Sequence, residues 1–294
     1  MPTRKSSSVV TKSKIKTMHT KTVKQSVVDS YGKLAKSTSG GLFSKLFACC
    51  NPTGNANQVG KAIGYSEEEV NAVPEGANLG VGCGNPSALA HIKNGETVID
   101  LGSGAGFDAF IVAPLVGNQG KVIGVDLSDD MLKLANKNAE KGKYTNVEFV
   151  KGDIEQLPLK GNIANHVISN CVINLSLNKG DVYKEAFRVL KEGGKLSISD
   201  IVLEKELPEF IKNSLMGHIA CVSGAEPLED YLQYVKNAGF KDVKIESKST
   251  FPLELMLADP QIMKVAKMLN YDLDSEEAKD IASRVTSISL SAIK

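Results

Sequence analysis

From Thr97 onward, short apolar runs alternate with longer amphipathic ones. Thr97–Leu101, Lys121–Asp126, Val147–Val150, His166–Ser169 and Lys195–Ser199 are four to six residues long and apolar. That is the signature of strands buried on both faces. Between them Asp108–Leu115, Asp129–Lys141 and Lys179–Leu190 carry the 3.6-residue period of helices with one buried face. Strand and helix in alternation at this spacing imply right-handed crossovers and a parallel sheet. Further on, Leu228–Ala238 reads as a helix stopped by Gly239, and Val243–Ser247 as a strand. Val285–Ile293 alternates in the strand manner and is expected to be the last strand.

Upstream the pattern is weaker. A helix is expected from about Val23 to Lys36, ending at the breaker cluster Ser39-Gly40-Gly41. Cys49 and Cys50 are expected in a loop with Pro52 and Gly54. Ser66 followed by three glutamates marks a helix N-terminus, where a hydroxyl caps free amides and acids meet the positive end of the dipole. Pro74–Pro86 reads as an irregular, glycine-rich segment.

Composition changes this picture in two places. The net charge of +1 hides an asymmetry: residues 1–28 hold seven basic side chains and no acid, leaving −6 on the remainder. So small a net charge favours neither a nucleic-acid nor an anionic-membrane partner. The basic stretch is rich in Ser and Thr and poor in large apolar residues, so a disordered tail over 1–28 is expected. It lacks a secretory signal's apolar region, and organelle targeting stays open beside a cytoplasmic location. Five cysteines at wide spacing argue against a secreted disulfide framework and for reduced thiols. No apolar run is long enough to span a membrane.

The sharpest local signal is Asp100-Leu101-Gly102-Ser103-Gly104-Ala105-Gly106-Phe107-Asp108, between an apolar strand and a helix. Gly102, Gly104 and Gly106 allow a sharp turn and let a ligand approach the main chain. The G-x-G-x-G spacing misses the dinucleotide fingerprint and suits a compact zwitterion such as S-adenosylmethionine. Asp126 ends the next strand 24 residues beyond Gly102, where a carboxylate can accept both ribose hydroxyls. Asp153 follows the third strand, within reach of an adenine amino group. Asp100, Gly102, Ser103, Gly104, Gly106, Asp126 and Asp153 are therefore the candidate cofactor residues.

The run from Thr97 through Asp200, ending in Phe187-Arg188-Val189-Leu190-Lys191-Glu192-Gly193-Gly194-Lys195, resembles the class I S-adenosylmethionine-dependent methyltransferases. Glu192 stands where that family usually has Pro. The resemblance implies an α/β, Rossmann-like fold with a mostly parallel seven-stranded sheet and helices on both faces. An N-terminal helical segment and a C-terminal extension flank it.

The acceptor site must be argued separately, because a fold does not set its substrate. Cys171 lies just past the fourth strand, Cys221 in the segment after the fifth, and Cys83 on the run leading into the sheet. Thiolates select soft ions, and trivalent arsenic held by sulfur keeps a lone pair that can attack a sulfonium methyl without deprotonation. Each cysteine could equally be a small buried hydrophobe. A structural zinc site lacks the paired C-x₂₋₄-C spacing.

The stretches Gly64–Glu68, Asn78–Pro86, Asn170–Leu175 and Ala220–Ala225 resemble the arsenite methyltransferases, and the likeness covers about Val28 to Thr250. It implies that Cys171 and Cys221 hold arsenic, with Cys83 completing the thiol chemistry. One of Cys49 and Cys50 would join the redox cycle, and thioredoxin or glutathione would act as reductant. Two other readings remain: a small-molecule C- or O-methyltransferase, and a metalloid-binding protein without turnover. The expected organisation is a tail at 1–28, a cysteine-bearing segment at 29–96, the cofactor domain at 97–250 and an extension at 251–294, in a monomer.

Overall fold

The computed structural model describes residues 7–38, 52–207, 224–250 and 275–294. Cys49, Cys50 and Cys221 lie outside these residues, as does the expected tail's first part.

Seven strands form a single sheet: β1 (Thr97–Leu101), β2 (Lys121–Asp126), β3 (Val147–Lys151), β4 (Ala164–Asn170), β5 (Leu190–Leu203), β6 (Lys241–Thr250) and β7 (Val285–Ile293). Their order is β3-β2-β1-β4-β5-β7-β6. The first five pair in parallel, and β7 runs antiparallel to both β5 and β6. The expected fold class is therefore found, with the last strand inserted inside the sheet.

Alternation along the strands divides the core. Val98, Val122 and Ile168 face one side with Ala109, Val112 and Val116 of α5 (Phe107–Val116). Ile99, Leu101, Ile123, Val125 and Val167 face the other, with Val182, Tyr183 and Ala186 of α7 (Lys179–Val189). A helix layer thus covers each face, as a sheet buried on both sides requires. Strand order reverses between β1 and β4, and open α/β sheets bind ligands beyond the carboxyl ends at such a point.

Two expectations upstream are corrected. A helix, α1, runs from Ser7 to Thr38 where a disordered tail was expected to reach residue 28. The helix expected over Val23–Lys36 is the part of α1 that packs on the domain. Tyr31, Leu34 and Ala35 pack against Met131 and Leu134 of α6 (Asp129–Gly142), while Lys36 pairs with Asp130 at 2.8 Å. Pro52 and Gly54, expected in a loop, open the helix α2 (Pro52–Ala62). Proline is tolerated in a first turn because its missing N–H would have no partner there. At Ser66 the expected N-terminus is present: Ser66 and Glu69 form a reciprocal capping box on α3 (Glu67–Ala72).

Candidate active site

The turn after β1 is built by its glycines. Gly102, Gly104 and Gly106 all have positive φ, at 68°, 51° and 95°. Both Gly102 and Ser103 donate backbone N–H bonds to Val125 O, which ties the turn to β2. Gly104 donates to Asp126 Oδ2 at 2.9 Å, and Asp126 Oδ1 accepts the Ser128 amide at 2.8 Å. The Asp126 carboxylate is thus fixed at the strand end where it was expected, and burial raises its pKa.

A cavity opens over this turn. Gly102, Ser103, Gly104, Asp126 and Asp153 line it, together with Cys171. Asp100 and Gly106, also expected at the cofactor, are not among its lining residues. Asp100 is buried beneath the turn and accepts the Ala109 amide, which braces the start of α5. Burial pushes its pKa well up, with Asp108 and Asp126 adding to the effect. Gly106 precedes α5 as its cap, where a Cβ would collide with Phe110 and Phe149.

The residues present suit S-adenosylmethionine. A Cβ built on Gly104 would meet nothing within 4 Å, so the main chain there is open to a ligand. The Ser103 hydroxyl is buried in this wall with no protein partner. A buried polar group without a partner is costly, and a polar ligand would relieve it.

Asp153 differs from expectation in one respect. Its Oδ2 lies 2.6 Å from Lys24 Nζ, so a cation from α1 already holds the carboxylate expected to meet an adenine.

The thiols converge beside the same cavity. Cys171 follows β4 directly, with φ at 58°, a left-handed conformation that costs a non-glycine residue roughly 1–2 kcal/mol. Its amide still donates to Ser199 O on β5 at 2.8 Å, so the residue is pinned while the chain turns off the sheet. Cys83 is buried, and its amide donates to Asn170 Oδ1 at 3.0 Å. Ser287 of β7 donates to the Cys83 carbonyl at 2.6 Å. The two sulfurs and a carboxylate oxygen of Asp200 all lie within 4.8 Å of one another.

Asp200 was not foreseen. It sits within the long β5 and accepts Asn174 Nδ2 at 2.8 Å, the Ile201 amide at 2.9 Å and the Tyr231 hydroxyl at 2.8 Å. Burial pushes its pKa up to about 6, while the Tyr231 and Ile201 donors act the other way. The signal was available: Asp200 is an acid near the exit of a strand, as Asp126 is.

Asn170, Tyr65 and Asp108 were also missed as a group. The Tyr65 hydroxyl donates to Asp108 Oδ1 at 2.5 Å, and Asn170 Nδ2 donates to the Tyr65 oxygen at 2.9 Å and to Gly84 O at 2.9 Å. Asn170 therefore joins the Cys83 segment to the start of α5. Burial raises the Asp108 pKa to about 6, opposed by the Tyr65 and Asn170 donors. These residues come from separate stretches of chain, and no local spacing marks them.

Comparison with known proteins agrees with this architecture. Residues 92–267 match the family model described as a methyltransferase domain. The arsenite methyltransferase of Halobacterium salinarum is 42% identical over 200 residues, covering 68% of this chain and 51% of that protein. The arsenite methyltransferase of Aquipseudomonas alcaligenes is 33% identical over 228 residues, covering 75% and 63%. The chain thus spans between half and two thirds of the length of these two relatives. The crystal structure of CrArsM, an arsenic (III) S-adenosylmethionine methyltransferase from Chlamydomonas reinhardtii, superposes with a TM-score of 0.59 at 30% identity. That match covers 81% of this chain and 73% of CrArsM. With its methyltransferase domain, its doubly wound sheet and these relatives, the chain belongs to the arsenite methyltransferase family.

Proposed function

We propose that the chain catalyses S-adenosylmethionine-dependent methylation of trivalent arsenic, as arsenite and methylarsenite, in arsenic detoxification. The observation that carries this reading is the approach of Cys83 and Cys171 to within 4.8 Å of one another, beside the cavity that the glycine turn lines. Two soft donors at that separation suit a thiophilic ion.

Bound S-adenosylmethionine supplies an electrophilic methyl group. Gly102, Ser103 and Gly104 would receive its amino-acid end, and Asp126 and Asp153 its nucleoside end. Cys171 and Cys83, with Cys221 as the third thiol, would hold arsenic with its lone pair towards the donor. Methylation of that lone pair needs no base, so the protein's work is orientation in line with the departing sulfur. Arsenic becomes formally pentavalent, and its return to the trivalent state forms a protein disulfide. Cys49 or Cys50 would take part in this step, and thioredoxin or glutathione would then reset the enzyme by thiol–disulfide exchange.

Mass spectrometry of arsenic species tests the reading, after incubation with arsenite, S-adenosylmethionine and excess thiol. Wild type should yield methylated arsenic, and Cys171→Ser and Cys221→Ser should lose arsenite methylation. A wild-type protein that binds the cofactor and leaves arsenite unmethylated would discard arsenite as the acceptor.

A further inference from the structure

Four side chains of α1 line the cofactor cavity: Lys24, Val27, Val28 and Tyr31. Their spacing of i, i+3, i+4 and i+7 places them on one helix face. This helix lies wholly before residue 92, where the methyltransferase-domain match begins. The cavity is thus closed on one side by an element outside the matched domain.

Lys24 fixes that wall to the sheet. Its ammonium lies 2.6 Å from Asp153 Oδ2 and 2.7 Å from Glu155 Oε2, with the side chain 22% exposed. Both acids line the cavity as well. One cation between two half-buried carboxylates is held more firmly than an exposed pair, since water screens it less. Burial lowers the Lys24 pKa while the two carboxylates together raise it by more, so the group stays charged.

Glu155 carries the connection onward. Its Oε1 accepts the Ser176 hydroxyl at 2.7 Å and the Leu177 amide at 3.1 Å. Those residues follow Cys171 in the turn that carries Val172 and Leu175 into the same cavity. A single carboxylate therefore joins α1 to the chain that carries a thiol.

We propose that α1 is the closing wall of the S-adenosylmethionine site and that Lys24, clamping Asp153 and Glu155, sets how long the cofactor is retained. Val27, Val28 and Tyr31 supply the apolar part of that wall. Shared between Asp153 and Glu155, Lys24 leaves one net negative charge where two adjacent ones would otherwise face the ligand. Asp153 keeps lone pairs beyond the one that Lys24 uses. The proposal rests on the cofactor reading and is independent of which acceptor is methylated.

The test is the release rate of S-adenosylhomocysteine from the full chain without arsenic, by stopped-flow displacement with excess S-adenosylmethionine. Lys24→Met should speed release about tenfold, and Lys24→Arg should stay within about threefold of wild type. Raising salt from low to about 1 M should speed release from wild type more than from Lys24→Met. Because the variant could lose structure, hydrogen exchange on wild type provides a second arm. Amides of residues 22–36 should exchange more slowly once S-adenosylhomocysteine is added. Release from a folded Lys24→Met at the wild-type rate would overturn the clamp, and unchanged exchange in α1 would overturn the wall. Wild type that binds neither nucleoside would remove the cofactor reading itself.

Discussion

Gly102 and Gly104 sit two residues apart in one turn, yet a methyl group added to each would meet opposite surroundings. At Gly102 it would overlap the Val172 side chain, next in sequence to Cys171. At Gly104 it would enter open space on the cavity side. Both have positive φ, so each substitution carries a backbone cost of about 1 kcal/mol. Gly104→Ala should therefore fold with a stability loss near that figure and bind S-adenosylmethionine at least tenfold more weakly, a split between thermal unfolding and calorimetric binding. Gly102→Ala should lose clearly more stability, since Val172 must move. Equal losses in the two variants would mean that Gly104 does not face the ligand. The glycines were legible in the sequence because their spacing is local. What each one meets was not, because Val172, in the turn after β4, is distant in sequence and reaches Gly102 only through the fold.

Among the elements, α3 shows how a short helix can hold a distant segment. Its capping box was readable from Ser66 and the acids after it. What lay beyond reading is that Glu69 is also within 3.3 Å of Asn85 Nδ2, two residues past Cys83. Tyr65, just before the cap, reaches Asp108 at the start of α5. Ser66→Ala should thus cost about 1 kcal/mol in chemical denaturation. Alkylation of Cys83, followed by peptide mass spectrometry, should also speed up in the folded protein. A stability loss with no change at Cys83 would confine the box to its own helix. The strands and helices from Thr97 onward were legible because periodicity and short connections determined them. Upstream, the helix over Val23–Lys36 and the start of α3 were legible, but the earlier part of α1 and α2 were not, since Pro52 reads as a breaker until its position in a first turn is known.

Across the whole molecule, burying acids at the sheet's carboxyl edge has a pH consequence. Asp108 ionises near 3.8 in an unfolded chain and near 6 in the folded one. The folded state therefore binds more protons between those values, and this group's contribution to stability falls as pH rises from about 4 through 6. Asp108→Asn removes that dependence. Its melting temperature should rise relative to wild type between pH 4 and pH 7, when both are followed by calorimetry without ligand. A difference that stays flat would place Asp108 at an ordinary pKa. The same burial explains why the site was only partly legible. Asp126 and Asp153 were found because they follow strands at regular intervals. Asp200 was passed over although it directly follows the expected strand Lys195–Ser199, and Lys24 because it lies in a stretch judged by its composition. Among the described residues no helix is long and apolar enough to cross a membrane.

The position of β7 has a further effect, on the order in which the sheet can be assembled during synthesis. Among the described residues β6 bonds to the sheet only through β7, and β5 has β7 as its neighbour on that side. While a ribosome has released the chain only as far as Arg284, β5 presents an open edge and β6 has nothing to pair with. An unpaired edge is a template for other chains. The nascent protein therefore carries an aggregation hazard at β5 until Val285–Ile293 emerges and pairs with it.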